Sequence, residues 1–138
     1  MCYRRRSRAD NGSSTSTRRL FVKDLQKVAV FYVGALALTR LSGDKDHAVL
    51  ERDGFELVVH QIPKQIADTI VIAQPPIRRV WGAIRLDFPV ASIADSRKLA
   101  RALGGEIDDA PPAWADAAAN LYFGHDPEGN QFGVSQRK

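Results

Sequence analysis

Two side chains of this chain, His60 and Arg85, have the types needed to bind and process a small ligand. An arginine is a permanent planar cation that binds carboxylate, phosphate or carbonyl oxygens. A histidine can donate a hydrogen bond or exchange a proton near neutral pH. The other histidines, His47 and His125, are scattered along the chain, so no triad can be argued from spacing. We expect His47 to be exposed beside a turn and His125 to stabilise the turn that follows it.

Several kinds of chemistry are excluded by residues that the chain lacks. A single cysteine, Cys2, allows neither an internal disulfide nor a cysteine-based zinc site. The sequence also contains no dinucleotide-binding glycine motif, no phosphate-binding loop, no nucleophile elbow and no His-Glu-x-x-His zinc motif. Polar anchors and aromatic contacts therefore remain as the expected means of binding, with Trp114 as an aromatic candidate in a proline-containing loop.

The positive charge lies almost entirely at the N-terminus. The formal net charge of the 138 residues is +4, but residues 1–19 hold six of the 20 basic and only one of the 16 acidic residues. The remaining body is nearly neutral, so neither nucleic acid nor a membrane surface is an expected partner. Residues 1–16 have no apolar periodicity and are predicted to be a disordered tail.

The segment from Thr17 to Lys23 resembles a twin-arginine export signal, and an apolar stretch follows it. The same residues form a better strand, turn and amphipathic helix, with Asp24 as the N-cap. We therefore expect a cytoplasmic protein, with export as the alternative.

A weak internal duplication organises the rest of the chain, with Val22 and Val90 at equivalent positions. Each copy has the pattern β-α-β-β-β, which predicts module one at 17–62, a linker at 63–80 and module two at 81–136. The helices are predicted near Asp24–Ala37 and Ala94–Leu103. The predicted strands that follow them are Leu38–Leu41, Ala48–Arg52 and Phe55–Ile62, then Glu106–Asp108, Asn120–Gly124 and Gln131–Ser135.

The strand leading into the second helix is predicted over 83–90, with alternating faces. Its apolar residues should pack on the helices, which leaves Arg85 and Asp87 pointing into a hollow between the modules. Linker residues Ile66–Ala73 are predicted to form a short strand or helix.

The chain resembles the glyoxalase / bleomycin-resistance / extradiol-dioxygenase superfamily, also called the vicinal oxygen chelate fold, over residues 17–136. The resemblance lies in the segments Phe21-Val22-Lys23-Asp24-Leu25, Phe31-Tyr32 and Gly124–Phe132. It implies an α+β fold of two βαβββ modules that form a curved mixed sheet around a central cavity. It also implies a homodimer.

The resemblance further implies a divalent metal, with two ligand positions in each module. Those positions fall on Thr17, Val58, Arg85 and Gly133 in this sequence. Two of these side chains have no donor atom, and an arginine repels a metal. No metal ligand and no cofactor are therefore predicted.

Parity with these positions places His60 and Gln131 in the hollow together with Arg85 and Asp87. The predicted ligand-binding residues are Arg85, His60, Asp87, Gln131 and Trp114, with His60 as the candidate catalytic residue. Two alternatives remain open: Arg85 paired with Asp87 or Glu56 at a solvated rim, and His60 in a structural role.

Three functions remain open from the sequence. The first is metal-free binding of a small anionic or carbonyl-bearing molecule in the cavity. The second is a glyoxalase-like lyase or dioxygenase, with atypical metal ligands or with metal-free chemistry by His60 and Arg85. The third is a non-catalytic dimerisation or interaction domain.

Overall fold

Two mixed four-stranded sheets and their helices make up the computed structural model, which describes residues 16–115 and 120–136. The predicted disordered tail lies almost entirely outside the described residues. The elements are β1 (Thr17–Val22), α1 (Leu25–Leu36), β2 (Thr39–Gly43), β3 (His47–Arg52), β4 (Phe55–Gln61), α2 (Lys64–Ala67), β5 (Leu86–Val90), α3 (Ile93–Ala102), β6 (Glu106–Ile107), β7 (Leu121–His125) and β8 (Gln131–Gln136).

The strand order repeats between the modules: β1-β4-β3-β2 in the first sheet and β5-β8-β7-β6 in the second. In each sheet the first strand runs parallel to the last, and the other pairs are antiparallel. This is the arrangement of two βαβββ modules, so the predicted fold class is confirmed.

Each of the two long helices begins directly after a capping side chain, the predicted Asp24 for α1 and Ser92 for α3. The Asp24 carboxylate accepts a hydrogen bond from the Lys27 backbone N–H, and the Ser92 hydroxyl accepts one from Asp95. Both side chains satisfy donors that a helix N-terminus leaves free.

The internal duplication extends to a hydrogen bond that both modules share. In each module, a glutamine at the end of the last strand binds the first residue of the helix. The Gln61 side-chain oxygen accepts from the Leu25 backbone N–H, and the Gln136 oxygen accepts from the Ile93 N–H. Each helix is thereby tied to the end of the strand beside it.

A single core joins the modules, because α1 packs on α3 and both sheets contribute inward-facing residues. Phe31, Tyr32, Phe88 and Phe132 make ring contacts at centroid distances of 5.4 to 6.2 Å. The core thus forms between the helix-covered faces of the two sheets and leaves their opposite faces open.

Two segments differ from the sequence prediction. Strand β5 begins at Leu86 rather than at residue 83, and Ile84 is 80% exposed instead of packing on a helix. In the linker, the short helix covers Lys64–Ala67, earlier than the predicted 66–73. Among the described residues, no helix has the length and apolar character needed to cross a bilayer.

Candidate functional site

A cleft of about 570 Å³ opens between the two modules. Edge strand β1 and residues of module two form its walls, and the connecting segment ahead of β5 lies along one side. Its lining residues are Thr17, Arg18, Arg19, Leu20, Tyr32, Leu57, Arg79, Val80, Gly82, Ala83, Ile84, Arg85, Leu86, Asn130, Gln131 and Phe132.

The lining combines an apolar floor with cationic walls. Leu57, Tyr32 and Phe132 at the floor are almost fully buried and belong to the shared core. Among the described residues, the walls carry four arginines and the lining includes no aspartate or glutamate. A cleft of this volume and composition suits a small molecule with an apolar body and polar or anionic groups.

Arg85 lies in the cleft, but Asp87 neutralises it. Its Nε and Nη2 atoms donate to the two Asp87 carboxylate oxygens at 2.7 and 2.9 Å. These hydrogen bonds raise the pKa of Arg85 above its usual value. The guanidinium also stacks over the Phe123 ring, 4.9 Å from its centroid. The rim pairing that the sequence left open is therefore present.

Gly133 leaves room for this ion pair. A Cβ atom at Gly133 would collide with Oδ1 of Asp87 and contact Leu121. The missing side chain therefore accommodates the Asp87 carboxylate rather than enlarging the space for a ligand.

Trp114 and Gln131 lie close to this cluster. The Trp114 ring is 70% exposed and contacts Phe123 at a centroid distance of 5.9 Å. The Gln131 amide lines the cleft and donates to the Val80 carbonyl at 3.0 Å. Arg85 and Trp114 therefore contact the same ring, Phe123, while Asp87 pairs with Arg85 and Gln131 lies on the wall of the adjoining cleft.

His60 lies on the open face of the first sheet and lines a different cavity, of about 790 Å³, near α2. Its ring contacts Phe21 at a centroid distance of 5.4 Å and stacks on His47 at 6.3 Å. Its buried Nδ1 has no hydrogen-bond partner among the described residues. His47 is only partly exposed, with its Nδ1 lying 3.1 Å from Asp44 Oδ1. His60 and Arg85 thus do not share a cavity within the described part of the chain.

The side chains at the four family metal positions do not fit a divalent cation. Val58 and Gly133 carry no donor atom, and Arg85 is a cation held by Asp87. Within residues 16–115 and 120–136, no group of three or more His, Cys, Asp or Glu side chains could hold a metal ion.

The turn between β7 and β8 links the modules through two buried carboxylates. Asp126 accepts hydrogen bonds from the Glu128 and Asn130 backbone N–H groups, the Asn130 amide and the Tyr32 hydroxyl. Burial and the adjacent Asp126 raise the pKa of Tyr32 well above its usual value, so this phenol remains a donor. The Glu128 carboxylate accepts from the Lys23 and Asp24 backbone N–H groups at 2.8 and 2.7 Å.

The sequence predicted that His125 stabilises that turn, and the structure gives its imidazole a hydrogen-bond partner in the linker, Arg78. The His125 Nδ1 accepts from Arg78 Nε at 2.8 Å, and Arg78 also makes a bidentate ion pair with Asp108. Burial and the Arg78 charge lower the pKa of His125, which favours the neutral ring that this hydrogen bond requires.

Sequence reasoning missed three arginines of the cleft, Arg18, Arg19 and Arg79. Alternation from Thr17 along β1 could have assigned Arg19 to the same strand face. Arg79 lies in the irregular connecting segment, where no periodicity signals its direction.

The sequence profile of the glyoxalase-like domain matches residues 19–135, which is most of the chain. The chain belongs to the glyoxalase-like domain family. It is therefore a member of the vicinal oxygen chelate superfamily, as its sequence motifs predict. No functionally curated protein matches this glyoxalase-like domain.

Solved structures share the fold of this glyoxalase-like domain at low sequence identity. The fosfomycin resistance protein FosX of Listeria monocytogenes has a TM-score of 0.64 at 16% identity, over 91% of this chain and 94% of that one. A glyoxalase-related enzyme of Fulvimarina pelagi has a TM-score of 0.60 at 19% identity, over 90% and 88%. A glyoxalase/bleomycin resistance protein of Albidiferax ferrireducens T118 has a TM-score of 0.59 at 19% identity, over 89% and 98%.

Proposed function

We propose that this glyoxalase-like domain binds a small organic molecule in the cleft between its modules, without a metal ion. The observation that carries the proposal is the lining of the 570 Å³ cleft, which combines buried apolar side chains with arginines and amides. Such a lining supplies apolar contact for affinity and polar groups for orientation. The poor fit of Thr17, Val58, Arg85 and Gly133 to a cation supports binding over metal-dependent catalysis.

The similar proteins support a binding role only by analogy. One is named for resistance to fosfomycin and another for resistance to bleomycin, both small molecules. Since these likenesses extend only to the fold, the ligand of this chain must follow from its own cleft.

Filling the cleft tests this function. We expect Ala83→Phe, on the cleft wall, to abolish the thermal stabilisation that small-molecule hits give the wild type. A ligand at 100 times its Kd stabilises by about 2.7 kcal/mol, which thermal unfolding resolves. Ala94→Phe introduces the same ring on the exposed surface of α3 and should retain every hit.

Hits that persist in Ala83→Phe would place the ligand elsewhere. Addition of Ni²⁺, Zn²⁺, Fe²⁺ or Mn²⁺ should leave the wild-type Tm unchanged and should not be required for any hit. A stoichiometric metal that co-purifies and supports turnover of a methylglyoxal–glutathione adduct would contradict the metal-free proposal.

We further propose that the protein is a homodimer. The connecting segment exposes large apolar side chains: Trp81 is 94% exposed, Val71 88% and Ile77 76%. Large exposed apolar patches are typical of association sites, and we propose that these side chains form one.

A charge in this segment tests the dimer. Trp81→Asp is expected to shift the protein from dimer to monomer in analytical ultracentrifugation, because it places a carboxylate in an apolar interface. Val30→Asp changes a half-exposed apolar residue of α1, away from this segment, and should leave the mass unchanged. A monomeric wild type at high concentration would refute the proposal.

A further inference from the structure

The four arginines of the cleft are unequally satisfied. Arg85 is paired with Asp87. Arg18 stacks over the Phe55 ring, 4.7 Å from its centroid, and donates to the Ser16 carbonyl. The guanidinium groups of Arg19 and Arg79 have neither an ion pair nor a hydrogen bond within the described residues.

Arg19 and Arg79 line the cleft on two different sides, one formed by the first module and the other adjoining the second. Arg19 belongs to edge strand β1 of the first module, and Arg79 lies in the linker and bridges to Asn130 of the second module. No carboxylate among the described lining residues compensates the charges of these two exposed arginines. Positive charges that line a partly enclosed cleft favour the binding of an anion.

The neighbouring surface is apolar. Leu20 and Leu86 are part-buried, and Phe132 is buried beneath them. A purely inorganic anion would leave this apolar surface exposed to water, whereas the apolar part of an organic ligand would bury it. The lining therefore favours a ligand that has both an anionic group and an apolar body.

We propose that Arg19 and Arg79 bind the oxyanion of an amphipathic organic acid, whose apolar body packs on Leu20, Leu86 and Phe132. This inference rests on the proposed binding function and adds the chemical class of the ligand. It also assigns the anion to these two residues rather than to Arg85, whose donors already serve Asp87.

The test uses two fluorescent probes with one aromatic skeleton. Anilinonaphthalene sulfonate carries an anionic group, and phenylnaphthylamine lacks it. The wild-type protein should bind the sulfonate about tenfold more tightly than the neutral probe, which is the worth of one good charge-assisted interaction. Decanoate should displace the sulfonate, and decanamide should do so only at about tenfold higher concentration.

The variants Arg19→Gln and Arg79→Gln should each weaken sulfonate binding about tenfold and leave phenylnaphthylamine binding unchanged. Arg40→Gln is the matched control, because Arg40 is exposed on β2, at the opposite edge of the same sheet from Arg19. It removes the same charge and should leave the binding of both probes unchanged.

Two outcomes would overturn the inference and can be told apart. If both probes bind the wild type equally, or if all three variants behave alike, the cleft binds small molecules without selecting anions, and the proposed function stands. If neither probe binds and Ala83→Phe changes nothing, both the inference and the proposed function fail.

Discussion

Replacing Asp126 by alanine is expected to lower the free energy of unfolding by about 4 kcal/mol. The change removes the acceptor for two backbone N–H groups and the Asn130 amide, and leaves the buried Tyr32 hydroxyl without a partner. Urea unfolding followed by circular dichroism measures the loss.

Two further variants serve as comparisons for Asp126→Ala. Asp126→Asn retains one carbonyl acceptor and should cost about half as much. Asp68→Ala removes an aspartate from an exposed pair with Lys64 and should cost less than about 0.5 kcal/mol. A loss below about 1 kcal/mol for Asp126→Ala would mean that the carboxylate does not hold the turn.

Phe132→Ala is also expected to have a large effect and to lower the free energy of unfolding by about 4 kcal/mol. Phe132 contacts the rings of Phe31, Tyr32 and Phe88, and its removal leaves a cavity where the two modules meet. Because Phe132 also underlies the cleft, probe binding should weaken together with stability.

Phe21→Ala is the matched control, since Phe21 is 58% exposed on the open face of the first sheet. It should cost less than about 1 kcal/mol and leave binding in the cleft unchanged. Equal losses for the two variants would show that Phe132 is not a central contact of the core. The same chemical and thermal unfolding measurements serve both.

Much of the fold could be predicted because its signals are local. The Asp24 cap, the strand pair Ala48–Arg52 and Phe55–Ile62, and the Val22/Val90 duplication each follow from short-range stereochemistry or repetition. The start of β5 could not, because Ile84 continues the alternation in sequence, yet it is 80% exposed and lies outside the strand.

The candidate site was predictable within one module only. Alternation correctly grouped Arg85 with Asp87, because both belong to one strand and its approach. Parity also assigned His60 to an open sheet face, but parity does not say which cavity that face borders. Whether two open faces meet depends on how α1 packs against α3, which is a tertiary contact without a sequence signature.

The bonds from Glu128 to the start of α1 have a consequence for how the chain is made. The carboxylate and the Lys23 N–H are 105 residues apart in sequence. A ribosome adding about 5–20 residues per second must finish the last hairpin before this contact can form. We expect the first module, while still tethered to the ribosome, to remain incompletely docked and to depend on the emerging C-terminal hairpin for its final stability.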